Sequence, residues 1–352
     1  MSGVTSAVRR LVQAMPKAEL HLHLDGCLRL QTALDLAAQF DVDAPRTWDG
    51  MFGALVAPAH PGSQEELLKS FALPVQLMQF PAALTRITTD LVEDKAADNV
   101  RYMEIKWAPE VHMQAGLSLD DVIETVAAAA STAAERLGVV VRLTVVAMRS
   151  ADPTLNVQVA HAAVRHRRVG VSGFDLAGLE AAHPDPTIHA EAFEIARAGD
   201  LGLTVHAGEL LDAGALVWRA LELRPDRIAH GACAVNDPAL VAELIARGVT
   251  LDLCPTSNVQ AGTVPTFADH PLVALVRHGV PVTINTDDTT ISDISLSEEW
   301  LSCISELGLT LPELWACNLH ALDVAFVDEP IRTSLRAQFQ AWAQRIPELH
   351  QS

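Results

Sequence analysis

Apolar residues arrive along this chain in short runs rich in Val, Leu and Ile, each followed by a longer, alanine-rich stretch with helical spacing. Short continuous apolar runs are what strands buried on both faces produce, and their alternation with helical segments marks parallel strands joined by crossovers. Such runs begin near Glu19, Tyr102, Val139, Val171, Leu203, Arg227, Val249 and Val282. Eight strands with helices between them predict an α/β fold, a single (β/α)8 TIM barrel, so residues 1–352 read as one domain. No internal repeat beyond this period, low-complexity tract or linker interrupts it.

The intervals are uneven. Residues 26–100 form an excursion after the first strand, with a helical Gln31–Ala38, a Pro/Gly-rich loop at Pro58–Gly62 and an amphipathic run from Glu65 to Val92. Segments that follow barrel strands lie over the catalytic end, so this excursion is expected to be helical and partly a lid.

The first strand carries the strongest chemical signal. In Leu-His-Leu-His-Leu-Asp-Gly, alternation puts His21, His23 and Asp25 on one face and Leu20, Leu22 and Leu24 on the other. The leucines would meet the helices while both imidazoles enter the barrel mouth, where two side chains two residues apart reach one metal ion. Further ligands should come from other strand ends, and His206, His230 and Asp287 fit. Three imidazoles and a carboxylate suit zinc or another borderline divalent metal, with a position left for water. His60, His161, His166, His183, His270 and His278 stand in helical or loop contexts and read as solvated or structural. No lysine follows Lys106, so the fourth strand offers none to bridge a second metal, and one zinc per chain is expected. The H-x-E and P-C-x-x-C pattern of the cytidine-type zinc deaminases is absent, which excludes that fold.

Composition narrows the partners. The formal charge is −19, with lysine only at 17, 69, 95 and 106, so neither nucleic acid nor an anionic membrane is expected to bind. Five scattered cysteines without a C-x-x-C pair fit free thiols in a reducing compartment, and no signal peptide or membrane span is visible, so cytoplasm is expected.

Six segments in order, Pro16–Gly26, Gly173–Gly178, His206–Glu209, His230–Gly231, Cys254–Asn258 and Asn285–Asp288, resemble the adenosine deaminase family of the amidohydrolase superfamily over nearly the full chain. The resemblance implies zinc held by His21, His23, His206 and Asp287, with Glu209, His230 and Asp287 catalytic and His23, Asp25, Gly178 and Asp288 around a purine nucleoside. The implied reaction is hydrolytic deamination of adenosine or a close 6-aminopurine nucleoside. Glu209 would protonate ring nitrogen 1, and His230 would orient and help deprotonate the attacking water. Asp288 would bond nitrogen 7, and the Gly178 N–H nitrogen 3. Asp25 accompanies adenosine-type members, where adenine-type members carry Glu, so Asp25 is expected at the sugar 5′-hydroxyl. Leu179 and Thr289 depart from the acidic residue and proline that the family often has there, beside the substrate. Competing readings are an adenine deaminase, a deaminase of 5′-methylthioadenosine or aminodeoxyfutalosine, an amidohydrolase of cyclic amides, and a catalytically inactive binding relative.

Overall fold

In the computed structural model, which describes residues 5–60 and 62–349, eight parallel strands follow one another in chain order around a sheet. Pro61, in the Pro58–Gly62 loop, and residues 1–4 of the N-terminal stretch lie outside the described residues. The strands are β1 (Lys17–His23), β2 (Val100–Trp107), β3 (Val140–Met148), β4 (Val171–Ala177), β5 (Gly202–Ala207), β6 (Arg227–His230), β7 (Thr250–Leu253) and β8 (Val282–Ile284). Each begins within two residues of the apolar run that predicts it.

The sheet closes into a barrel where β8 returns to β1. His23 N donates to Asp287 O at 2.8 Å and Asp287 N to His21 O at 3.1 Å. Below them the Asn285 side-chain oxygen accepts from the backbone of Leu20 and His21, at 2.9 and 3.2 Å. An amide side chain thus replaces ladder bonds at the seam, and the seam holds three candidate ligands, His21, His23 and Asp287, side by side. The barrel is therefore a (β/α)8 TIM barrel, as the alternation predicts.

Helices surround it: α1 (Ser6–Ala14), α2 (Leu30–Gln39), α3 (Trp48–Leu55), α4 (Gln64–Leu68), α5 (Ala72–Leu77), α6 (Pro81–Ala97), α7 (Leu119–Leu137) and α8 (Pro153–Arg165). They continue with α9 (Ala190–Ala198), α10 (Gly214–Ala220), α11 (Pro238–Arg247), α12 (Pro255–Gln260), α13 (Leu272–Arg277), α14 (Leu296–Leu307), α15 (Leu311–Asp323) and α16 (Glu329–Ala343). Their ends are written locally. Ser118 with Asp121, Ser295 with Glu298, and Thr310 with Glu313 form capping boxes at α7, α14 and α15. Gly138, Gly248 and Gly308 take left-handed conformations just past α7, α11 and α14, where a side chain would be strained. Among the described residues no helix is long and apolar enough to cross a membrane.

Leu20, Leu22 and Leu24 are fully buried in the main hydrophobic core, as strand alternation requires. The barrel interior is charged instead. Arg227 pairs with Glu104 and Asp252, and Lys106 with Asp175, all fully buried. Lys95 reaches Glu19 at 2.7 Å behind β1. Buried charges persist only when paired and hydrogen-bonded, and these pairs form the floor on which the mouth residues stand. Of residues 26–100, the excursion carries α2 to α6, so the amphipathic run from Glu65 is broken into several pieces.

Candidate active site

Four donor atoms converge at the mouth end of β1, β5 and β8. His23 Nε2 lies 3.2 Å from His21 Nε2 and 3.1 Å from His206 Nε2, and Asp287 Oδ1 lies 3.0 Å from His21 Nε2 and 3.4 Å from His23 Nε2. Ligand atoms held about 2.0–2.1 Å from a tetrahedral zinc are about 3.3 Å apart, so the spacing fits one such ion. Burial lowers the pKa of His21 well below its usual value and brings that of His23 to about 4, so both are neutral imidazoles able to ligate. His21, His206, His230 and Asp287 also offer atoms all within 4.8 Å of one another, which puts His230 against the same centre. The donor set therefore fits a divalent metal.

Supporting side chains orient these groups. Asp175 Oδ2 sits 3.0 Å from His206 Nδ1, and Lys106 Nζ sits 2.8 Å from the same carboxylate. Such a carboxylate behind a ligating imidazole fixes its ring and raises its basicity. Ser257 Oγ donates to Asp287 Oδ2 at 2.7 Å, leaving Oδ1 for the donor cluster. His230 and Asp287 both have left-handed backbones, with φ of 68° and 65°. Non-glycine residues adopt this conformation where the surroundings over-determine it, and it gathers at functional sites.

The next layer is acidic. Glu209 is buried, with Oε1 3.2 Å from His230 Nε2 and Oε2 accepting from Gln64 Nε2 at 2.7 Å. Burial first, then Asp287 and Glu180, raise its pKa well above the usual carboxylate range, which favours the protonated form. Asp288 is raised likewise by burial and by Asp287, Asp25 and Glu209, and its Oδ1 has no partner. Gly26 is required beside it, since a Cβ there would lie 1.6 Å from Asp288 Oδ1. Gly178 has φ 116°, a conformation open to glycine, and its carbonyl lies 3.5 Å from Gln64 Nε2.

One detail differs from strand alternation: β1 ends at His23, so Asp25 stands in the turn that follows rather than on the strand itself. It is still buried at the site, burial lifts its pKa to about 6, and its Oδ1 is unpartnered. Sequence reasoning missed Asp175, Ser257 and Asn258, although each lies inside a quoted motif, because nothing local says that they reach His206, Asp287 and His230. Glu180 was also missed. Leu179 breaks the acidic pattern, but Glu180 turns inward and accepts from Gly208 N at 3.1 Å and Glu209 N at 3.0 Å. Thr289 keeps an N–H that proline would lack and donates it to Cys27 Sγ at 3.3 Å. Gln64, on α4, escaped notice because a polar residue before an amphipathic helix has no local mark of a site. Leu67 next to it packs with Ala57, Ala261, Ile291 and Phe71 in a small apolar cluster apart from the main core.

A family model for adenosine deaminase matches residues 16–342. The adenosine deaminase of Mycobacterium tuberculosis (strain H37Rv) is 38% identical over 340 residues, covering 90% of this chain and 91% of the relative. An amidohydrolase from Burkholderia ambifaria solved with bound zinc superposes with a TM-score of 0.89 at 27% identity, over 99% of this chain and 96% of the other. An adenine deaminase from Arthrobacter aurescens superposes with a TM-score of 0.86 at 25% identity, over 94% of this chain and all of the other. By the extent of the family match and the identity of its relatives, the chain belongs to the adenosine deaminase family.

Proposed function

We propose that this chain hydrolyses the 6-amino group of adenosine, giving inosine and ammonia, as a single-domain enzyme that holds one zinc through His21, His23, His206 and Asp287. The observation that carries the reading is buried Glu209, its pKa raised by that burial, beside a donor set spaced for one metal, with Asp288 Oδ1 left without a partner. The metal supplies the Lewis acidity that lets water act as a nucleophile near neutral pH. His230 orients that water toward carbon 6. Glu209 gives its proton to ring nitrogen 1, so the ring no longer resists attack; of the two protons of the attacking water, one restores Glu209 and the other reaches the amino nitrogen, which leaves as ammonia while the oxygen stays on carbon 6. A protonated Asp288 donates to nitrogen 7, and the Gly178 N–H serves nitrogen 3. Alanine at Gly26 would displace Asp288, so the purine wall depends on that glycine.

The mouth favours a neutral sugar over a phosphorylated one. Residues 108–118, 178–189, 208–213, 231–237, 254–271 and 285–295, which follow β2 and β4 to β8, contain no lysine or arginine. The segment after β3 offers only Arg149, buried against Glu180 and the His206 carbonyl. In the excursion after β1, Arg29, Arg46, Lys69, Arg86 and Lys95 are each ion-paired. A 5′-phosphate would meet Asp25, Asp288 and Glu209 with no free cation to offset them, whereas a 5′-hydroxyl can donate to Asp25.

The test is ammonia release from the zinc-loaded protein with adenosine, adenine, 5′-methylthioadenosine, AMP and dihydropyrimidine-type cyclic amides. Adenosine should lead and AMP should trail by at least about 100-fold, the scale of one unpaired buried charge. Faster turnover of adenine would give the role to the free base. No release from any purine would overturn the reading.

A further inference from the structure

We propose that His270 and Asn258 act as positioning residues that lock His230 with its proton on Nε2, so that His230 faces the attacking water as a hydrogen-bond donor and takes no proton from it. The proposal rests on the deaminase reading for its meaning in catalysis.

The direction of the chain is set by a group that cannot reverse. Leu272 N donates to His270 Nδ1 at 3.2 Å, and a backbone N–H has no lone pair, so Nδ1 is the acceptor. His270 is buried, and burial lowers its pKa to about 3, so the ring is neutral and its one proton sits on Nε2. That proton points at Asn258 Oδ1, 3.0 Å away. The oxygen of the amide is thereby fixed toward His270, and its NH2 faces the other way, 3.0 Å from His230 Nδ1. His230 Nδ1 must then present its lone pair, which leaves the proton of a neutral ring on Nε2. Turning the amide over would set its NH2 against the Nε2–H of His270, and turning that ring's proton to Nδ1 would set it against the Leu272 N–H. Asn258 is itself fully buried, so no solvent relieves either clash.

The far end of this chain opens into the active site. His230 Nε2 is buried and makes no hydrogen bond within the described residues, because Glu209 Oε1, though 3.2 Å away, lies off the line a hydrogen bond requires. A buried N–H without a partner is costly, about 1–3 kcal/mol, and a water oxygen delivered beside Asp287 would satisfy it. The same proton explains why His230 is not a ligand although it stands within 4.8 Å of the donor set: ligation needs the lone pair that Nε2 no longer has. The expectation that His230 helps to deprotonate the water is therefore replaced by one in which it holds the oxygen in line, with no proton passing to or from it.

The experiment is long-range 15N–1H NMR of histidine-labelled, zinc-loaded protein, with the His230 signals identified by their loss in His230→Asn. Both His230 and His270 should carry hydrogen on Nε2 and none on Nδ1. Two nearly isosteric variants separate positioning from packing. His270→Gln keeps a donor toward Asn258, so the His230 tautomer and kcat should stay within about threefold. Protonated, the carboxyl of His270→Glu still donates to Asn258, but once ionised it can only accept, which turns the Asn258 amide and moves the His230 proton to Nδ1. In that variant kcat should fall about 10²–10³-fold as pH rises through the ionisation of the new carboxyl, as for loss of one preorganised donor, with KM changed by less than about threefold. A wild-type His230 protonated on Nδ1, or pH profiles of kcat that coincide for the Gln and Glu variants, would overturn the proposal. The wild-type spectrum decides even if both variants fail to fold. It needs no substrate, so its failure is distinct from failure of the deaminase reading, which ammonia release tests.

Discussion

Gln64→Ala should open the excursion that covers the site without unfolding the barrel. The Gln64 amide is buried and does two things at once: Nε2 donates to Glu209 Oε2 at 2.7 Å, and Oε1 accepts from Glu180 N at 2.9 Å. Truncation removes both bonds, each worth about 0.5–1.5 kcal/mol net, and leaves the Glu180 N–H, if still buried, with a further penalty of about 1–3 kcal/mol. Partial rescue by entering water brings the sum to ~2–4 kcal/mol, which converts at 1.4 kcal/mol per decade to a ~30–1,000-fold loss in the closure equilibrium. The second anchor, Leu67 with Ala57, Ala261 and Ile291, would remain. Hydrogen exchange read by mass spectrometry should therefore accelerate by ~30-fold or more in residues 62–71, while strands β2 to β5 keep wild-type protection. The value of kcat/KM should fall in parallel, because Glu209 loses the bond that aims it. Leu67→Ala should loosen the same segment while leaving the Glu209 bond intact. Unchanged exchange in residues 62–71 of Gln64→Ala would refute the idea that this amide latches the cover, and so would faster exchange across the whole barrel.

Four further outcomes follow from the site and its surroundings. Metal analysis of purified protein should find about one zinc per chain, lost together with activity in His21→Ala and His206→Ala, whereas two tightly held metals would refute the single-ion reading. Glu209→Gln should keep its zinc while kcat falls by ~10²–10⁴, and loss of the metal would make Glu209 a ligand. Asp25→Ala should lower kcat/KM for adenosine by roughly 10–100-fold and barely touch 5′-deoxyadenosine, the scale of one charged hydrogen bond; equal losses on both would reduce Asp25 to a turn residue. Glu110 concerns stability: burial raises it from its ordinary 4.5 to about 7, so its contribution is full below about 4.5 and lost as pH rises through 7. Glu110→Gln still accepts from Met148 N, so in denaturant titrations at pH 4.5 and 8 it should remove ~3 kcal/mol of that fall, and an unchanged pH slope would refute the assignment.

The strands were legible because the face that each turns to the surrounding helices must be apolar, and eight such runs alternating with helical stretches, from Lys17 to Ile284, point to a closed barrel. The candidate ligands were legible for a related reason: alternation alone puts His21 and His23 on one side of β1, and barrel geometry sends strand ends to a common mouth. Sequence by itself thus determined the fold, the donor types and the kind of chemistry. Only the tertiary structure decided what holds each donor in place. Asp175 reaches His206 from another strand, Gln64 reaches Glu209 across 145 positions, and His270 acts on His230 through Asn258. These contacts depend on which side chains meet across the barrel, and a hydrogen bond, unlike an apolar face, leaves no period in the sequence. The direction of a proton along such a chain is further still from the sequence, since it is fixed by the one backbone N–H, at Leu272, that can only donate.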